Sequence, residues 1–215
     1  MPKKIKIMAK FNSSTFGTIS GRHGSAVAST TKDGQCILKV FKAPSNPKTV
    51  AQVRQRTKFG FVNSELSPLR DIFKRSYRSN KGMNLAVSYA LKNAVLGDAP
   101  DLSLDYSKLC FSWGSIQFPD QINVSTPGSN VIQIDWDTTT RTEDETPDEL
   151  NLIFMNSESK FSILREGVAL RDSGTVLFEL PAIWAGKEVY CWAFFSTPES
   201  NQTSVSKFLG LVQLQ

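Results

Sequence analysis

Val131-Ile132-Gln133-Ile134-Asp135-Trp136 alternates apolar and polar side chains with a period of two, the pattern of a strand that buries one face. Ile132, Ile134 and Trp136 share the apolar face; Asp135, with Asp137 beyond the Trp, falls on the other. The same period recurs from Leu102 onward, in short runs at 107–113, 116–118, 121–125, 130–136, 151–156, 160–164, 168–170, 175–180, 188–197 and 204–214. Turn-forming clusters separate the runs, among them Thr126-Pro127-Gly128-Ser129, Arg165-Glu166-Gly167, Asp172-Ser173-Gly174 and Ala185-Gly186-Lys187. Evenly spaced short strands with such turns predict a β-sandwich or barrel. The acidic stretch 139–149 reads as a long exposed loop.

Upstream of residue 97 the period is helical. Asn46 with Pro47 behind it, or alternatively Thr49, supplies a helix N-cap. Val50, Val53, Thr57 and Phe61 then form one stripe, with Phe59, Val62 and Leu66 close to it. Pro68 interrupts. Leu69, Ile72, Phe73 and Tyr77 predict a second short helix, and Met83, Val87, Ala90, Leu91, Ala94 and Val95 a third, ended by Gly97 and Pro100. Residues 11–45 read instead as short strands, with a hairpin turn at Lys32-Asp33-Gly34-Gln35. Those strands are candidates to join the C-terminal sheet.

The expected fold class is therefore α+β: an N-terminal β-hairpin region plus a small helical cluster, followed by an antiparallel β-sandwich. Two domains are expected, 1–100 and 101–215.

Charge divides at the same place. Residues 1–100 carry 18 basic and four acidic side chains, a net of +14; residues 101–215 carry seven and 16, a net of −9. Such asymmetry points to a nucleic-acid surface or to a partner of opposite sign. Three outcomes stay open: the basic half neutralises phosphates, it meets the acidic half of a neighbouring copy, or it packs on its own acidic half. The densest basic run is Arg54, Arg56, Lys58, Arg70, Lys74, Arg75, Arg78 and Lys81, opposed only by Glu65 and Asp71. Tyr77 lies among these cations, where it could stack on a base. These eight are the candidate partner- or nucleic-acid-binding residues.

The 215 residues are 40% hydrophobic and 21% charged, ordinary for a globular chain. No apolar run approaches the roughly 20 residues that span a bilayer. No secretion signal is read, so the expected place of synthesis is the cytoplasm, with a virion as the alternative destination. Cys36, Cys110 and Cys191 are odd in number and far apart, which excludes CxxC metal knuckles and predicts buried free thiols.

Two resemblances bear on this layout. Val131 to Trp136, and later Val189-Tyr190-Cys191-Trp192-Ala193-Phe194-Phe195, are similar to core strands of fibronectin type III and immunoglobulin-like sandwiches. This implies an Ig-like fold over roughly 117–215, a scaffold of many uses. Gly17-Thr18-Ile19-Ser20-Gly21, the pattern Asn46-Pro47-x-Thr49-x-x-Gln52-x-x-x-Arg56 with Phe59, and Leu66-Ser67-Pro68-Leu69 resemble an uncharacterised bacterial and phage family of about this size. That resemblance implies the domain layout and a virion or mobile-element origin, and says nothing about catalysis.

No phosphate loop, nucleophile elbow or HExxH motif is present. The Gly17–Gly24 region lacks the strand–loop–helix context of a phosphate cradle and reads as turns. His23, the single histidine, reads as solvated rather than as a general base. Asp135, Asp137 and the acids of 143–149 lack calcium-loop spacing and read as a solvated face. The expectation is a non-enzymatic structural or interaction protein without cofactors, its partners a second copy or other structural proteins. A nucleic-acid-binding accessory protein is the alternative.

Overall fold

A computed structural model describes residues 8–11, 20–43, 46, 48–138, 148–198 and 202–215. The chain forms two compact units, Met1–Lys48 and Thr49–Gln215.

The first unit is a four-stranded antiparallel sheet of β1 (Met8–Phe11), β2 (Gly21–His23), β3 (Ala26–Thr30) and β4 (Cys36–Val40), in the order β1-β4-β3-β2. These strands pair with one another in a sheet of their own. The Asp33-Gly34 turn joins β3 to β4 as predicted, because Gly34 takes φ 76°, a left-handed conformation costly for other residues. The register places Ala26 opposite Val40 and Ala28 opposite Leu38 on one face, and Val27 opposite Lys39 on the other. Residues 1–48 hold nine basic side chains and one acidic, so a net of +8 of the +14 of residues 1–100 falls in this stretch.

The second unit opens with α1 (Val50–Leu66), α2 (Arg70–Ser76) and α3 (Gly82–Asn93). The N-cap is Thr49, the alternative reading, and not Asn46: the helix starts only at Val50, and the Thr49 hydroxyl accepts from the Gln52 amide at 3.4 Å. The apolar residues of α1 are spread around the helix: Val62 and Leu66 are buried, but Val50 is 82% exposed and Phe59 52%. Pro68 sits in a 3-10 turn between α1 and α2. α3 buries Met83, Ala86, Val87 and Ala90. At its start Gly82 passes so close to α2 that a Cβ there would lie 2.2 Å from the Phe73 carbonyl oxygen. Val95 belongs to a two-residue strand, β5 (Val95–Leu96), paired with β6 (Ser103–Leu104), so α3 ends earlier than its periodicity suggests.

Seven further strands follow: β7 (Ile122–Gly128), β8 (Val131–Trp136), β9 (Glu149–Asn156), β10 (Ser162–Leu170), β11 (Thr175–Glu179), β12 (Glu188–Ser196) and β13 (Lys207–Gln213). They form a three-stranded sheet, β11-β8-β7, and a four-stranded sheet, β10-β9-β12-β13, antiparallel throughout. This three-plus-four arrangement is an Ig-like β-sandwich, and the fold class is α+β.

Three sequence elements differ from expectation. The run at 116–118 forms no strand, Ile116 making only an isolated bridge to Ser204. The runs at 160–164 and 168–170 merge into β10, with a bulge between Arg165 and Ala169 where a turn was expected. Residues 107–113 form no strand. At its centre hydroxyls replace a ladder: Phe111 N–H donates to Ser206 Oγ at 2.8 Å, and Ser76 Oγ donates to the Phe111 carbonyl at 2.6 Å.

The four-stranded sheet is buried on both faces. Leu150, Leu152, Phe154, Cys191, Ala193 and Phe195 face the other sheet with Ile132, Ile134 and Trp136. The alternate residues Ile153, Met155, Trp192 and Phe194 pack against Val62, Leu66, Phe73 and Val87 of the helices. Three layers result, helices on sheet on sheet. Double burial explains why 189–195 reads as an almost unbroken apolar run. The helices and the strands of β9 and β12 thus share one core, and the flip of charge near residue 100 falls within this unit.

Candidate functional site

The eight candidate cations do different things. Arg54 and Lys58, one helical turn apart on α1, both approach the Asp98 carboxylate, at 3.8 and 3.1 Å. The hydrogen bond from Lys58, then the charge of Arg54, holds that carboxyl below its ordinary range. Arg75 pairs with Glu166 in the β10 bulge. Arg78 donates Nη1 to the Thr197 carbonyl at 2.8 Å. Arg56, Arg70, Lys74 and Lys81 are exposed, and they carry no ion pair among the described residues.

Sequence reasoning missed a groove on the outer side of α3. It has a volume of about 370 Å³ and is lined by Tyr77, Leu85, Ser88, Tyr89, Lys92 and Trp113. Trp113 is 63% exposed and Leu85 48%. The Trp113 and Tyr89 rings lie 6.1 Å apart, tilted by 53°. Tyr77 closes the floor, donating its hydroxyl to the Cys110 carbonyl at 2.9 Å. Burial pushes the Tyr77 phenol well above its usual range, with Cys110 and Tyr89 adding to the rise. Ser88 also lines a neighbouring cleft of about 350 Å³, shared with Phe59, Asn63, Asn84, Val87 and Leu91 between α1 and α3.

Local sequence builds this face. Leu85, Ser88, Tyr89 and Lys92 follow helical spacing, and Lys81 precedes Leu85 by one turn, its carbonyl accepting from the Leu85 amide at 3.0 Å. They occupy the side of α3 away from Met83, Ala86 and Ala90. That second stripe was the available signal. It was hidden because Trp113 counted as the end of a core strand. Two other clefts, of about 430 and 450 Å³, flank the exposed Phe161 of the sandwich.

The groove combines three aromatic rings, two of them phenols, with an amine and the Ser88 hydroxyl, and no carboxylate in its lining. Among the described residues no group of three or more His, Cys, Asp and Glu is placed to hold a metal ion. His23 is exposed on β2, in the first unit. Cys36, Cys110 and Cys191 are buried free thiols, and desolvation raises the Cys191 thiol strongly. Asp135 accepts from Gln133 and Thr175, which lower its carboxyl. Of the acids expected beside it, 143–147 lie outside the described residues. No helix of the described residues is long and apolar enough to cross a membrane.

Among solved structures the chain is similar to the fibronectin type III domain of the human collagen α-1(XX) chain. The identity is 12%, the match covers 47% of this chain and 83% of that one, and the TM-score is 0.33. No curated protein matches the sequence significantly. A family model described as a family of unknown function, DUF6266, matches residues 18–210, nearly the whole chain, and the protein belongs to that family.

Proposed function

We propose that this chain is a non-enzymatic structural or interaction protein that works through protein–protein contacts, an assembly component of a phage particle or mobile element. One observation carries the contact reading: the open aromatic groove of Trp113, Tyr89 and Leu85 at α3, beside cations that carry no ion pair among the described residues. Exposed aromatic and apolar side chains grouped on one face are the anatomy of a docking surface. The phage or mobile-element setting is the finer part of the proposal, supported by the Asn46-to-Phe59 pattern described above.

Size-exclusion chromatography with light scattering, at low and high salt, tests it. Ordered oligomers that weaken with salt are expected; a strict monomer at high concentration contradicts self-assembly. The second reading, a nucleic-acid-binding accessory protein, is favoured by the same rings, since Tyr77, Tyr89 and Trp113 with Lys92 would also suit stacked bases. A gel shift with random single-stranded DNA and RNA at roughly 50 mM salt decides it, because non-specific affinity is strongest at low salt.

A further inference from the structure

The division of the chain after residue 48 redraws its charge map. Residues 1–48 hold nine basic side chains and one acidic, whereas residues 49–215 hold 16 and 19, a net of −3. The helical cations therefore share a unit with a surplus of acids, and Asp98 and Glu166 pair with three of them. The first unit has no such balance. Its one acid, Asp33, lies in the turn between β3 and β4, and its four strands carry none. Arg22, Lys32, Lys39 and Lys42 are exposed and carry no ion pair among the described residues. A surface of one positive sign attracts a polyanion.

The register sets two of these cations on one face. Arg22 stands opposite Val27 and Val27 opposite Lys39, so the cations flank an apolar residue across three neighbouring strands. Two strand spacings put them about 10 Å apart, a length that about three nucleotides of a stacked strand cover. Phe41 extends the same face, its amide donating to the Ser25 carbonyl at 2.7 Å. The Arg22 guanidinium lies 3.8 Å from the Phe41 ring centroid, and its Nε donates to the Gly24 carbonyl at 3.1 Å. Both contacts hold the guanidinium plane in place. Such a plane is a platform on which a nucleobase stacks. An acidic peptide would answer the charges of this face but leave the Arg22–Phe41 stack unused.

We propose that the Arg22–Val27–Lys39 face of the N-terminal sheet, with Phe41, binds single-stranded nucleic acid without sequence preference. A base stacks on the Arg22 plane, and Lys39 takes an adjoining phosphate. The site lies on the other unit from the α3 groove and is independent of the protein–protein reading.

Fluorescence anisotropy of labelled random single-stranded DNA and RNA, titrated with the full-length protein at roughly 50 and 200 mM salt, tests it. Wild-type protein is expected to bind at the lower salt and to lose about tenfold in affinity at the higher. Lys39→Gln is expected to weaken binding about threefold and to lower the salt slope by about 0.7, the share of one phosphate. Arg22→Lys keeps the charge and loses the plane, so it is expected to weaken binding about fivefold with the slope unchanged. The pair Lys74→Gln and Lys81→Gln removes exposed charge from the second unit and is expected to stay within about twofold of wild type, as is Trp113→Ala. Circular dichroism verifies that each variant folds. The proposal is overturned if wild-type protein does not bind at the lower salt, or if the Lys74 and Lys81 changes weaken binding as much as those at Arg22 and Lys39. Displacement of the oligonucleotide by polyglutamate at equal charge also overturns it and makes the face a dock for acidic protein. Loss of binding in Trp113→Ala alone overturns it by moving the nucleic acid to the α3 groove. The first three results leave the protein–protein reading of that groove standing.

Discussion

The Arg78 guanidinium donates to the Thr197 carbonyl at 2.8 Å, tying the turn after α2 to the end of β12. Arg78 adopts φ 48°, a left-handed conformation that disfavours any residue with a Cβ. Two opposed effects meet at one position. Arg78→Ala loses a charged hydrogen bond, worth about 1.5–3 kcal/mol, and keeps the strain. Arg78→Gly loses the same bond but relieves about 1–2 kcal/mol of backbone cost. The glycine variant is therefore expected to be the more stable of the two in urea unfolding. Equal midpoints would show that the strain is absent.

Residues 107–113 are expected to be among the most sensitive in the chain, although they belong to no strand. Phe111 is fully buried, with its ring 4.9 Å from both Phe73 and Trp192. Phe111→Ala should cost about 3–5 kcal/mol. Ser206→Ala should cost about 1–3 kcal/mol, because the Phe111 amide is left buried without an acceptor. Chemical unfolding of both variants checks this; losses below about 0.5 kcal/mol would return the segment to the status of a surface loop.

Gly82→Ala should destabilise the protein despite the better helix propensity of alanine. The propensity gain is about 1 kcal/mol, but the new Cβ would sit 2.2 Å from the Phe73 backbone oxygen. Moving α2 away to relieve that overlap should cost about 1–3 kcal/mol beyond the gain. Gly60→Ala on α1, where nothing lies within 4 Å of the added carbon, is the matched control and should stabilise. A pair of thermal melts separates them.

Stability should fall on the alkaline side. Burial raises the Cys191 thiol from an ordinary value of 9.0, and the Tyr77 and Tyr106 phenols from 10.0. A raised acid stays protonated in the folded chain while the unfolded chain releases its proton. The stabilisation is thus complete below pH 9 and is lost progressively as pH climbs toward the folded values. Tyr106→Phe removes one of these groups together with the 2.7 Å bond to Glu65, and should flatten the slope between pH 10 and 11 relative to wild type. An unchanged slope would place that phenol in solvent.

Local chemistry made much of the fold legible. The Asp33-Gly34 hairpin, the Thr49 cap and the alternation of 131–136 each follow from short-range steric and hydrogen-bonding rules. What stayed hidden depends on packing between distant segments. Nothing near Phe111 announces that Ser76 and Ser206, 35 and 95 residues away, take its backbone groups. Nothing within α1 shows that its stripe is covered only near Val62 and Leu66. The candidate site was half legible for the same reason. Composition placed the cations, but only the fold shows that Asp98, Glu166 and Thr197 occupy four of the eight and that Trp113 opens to solvent beside α3.

Acrylamide quenching of tryptophan emission tests the central claim most directly. Of the four tryptophans, Trp113 is 63% exposed, whereas Trp136, Trp184 and Trp192 are 6%, 3% and 0% exposed, so the quenchable signal reports the groove. If the groove is a docking surface for another copy, quenching should decrease as protein concentration rises at low salt, and recover when salt is added. Quenching that is independent of both concentration and salt would contradict the account.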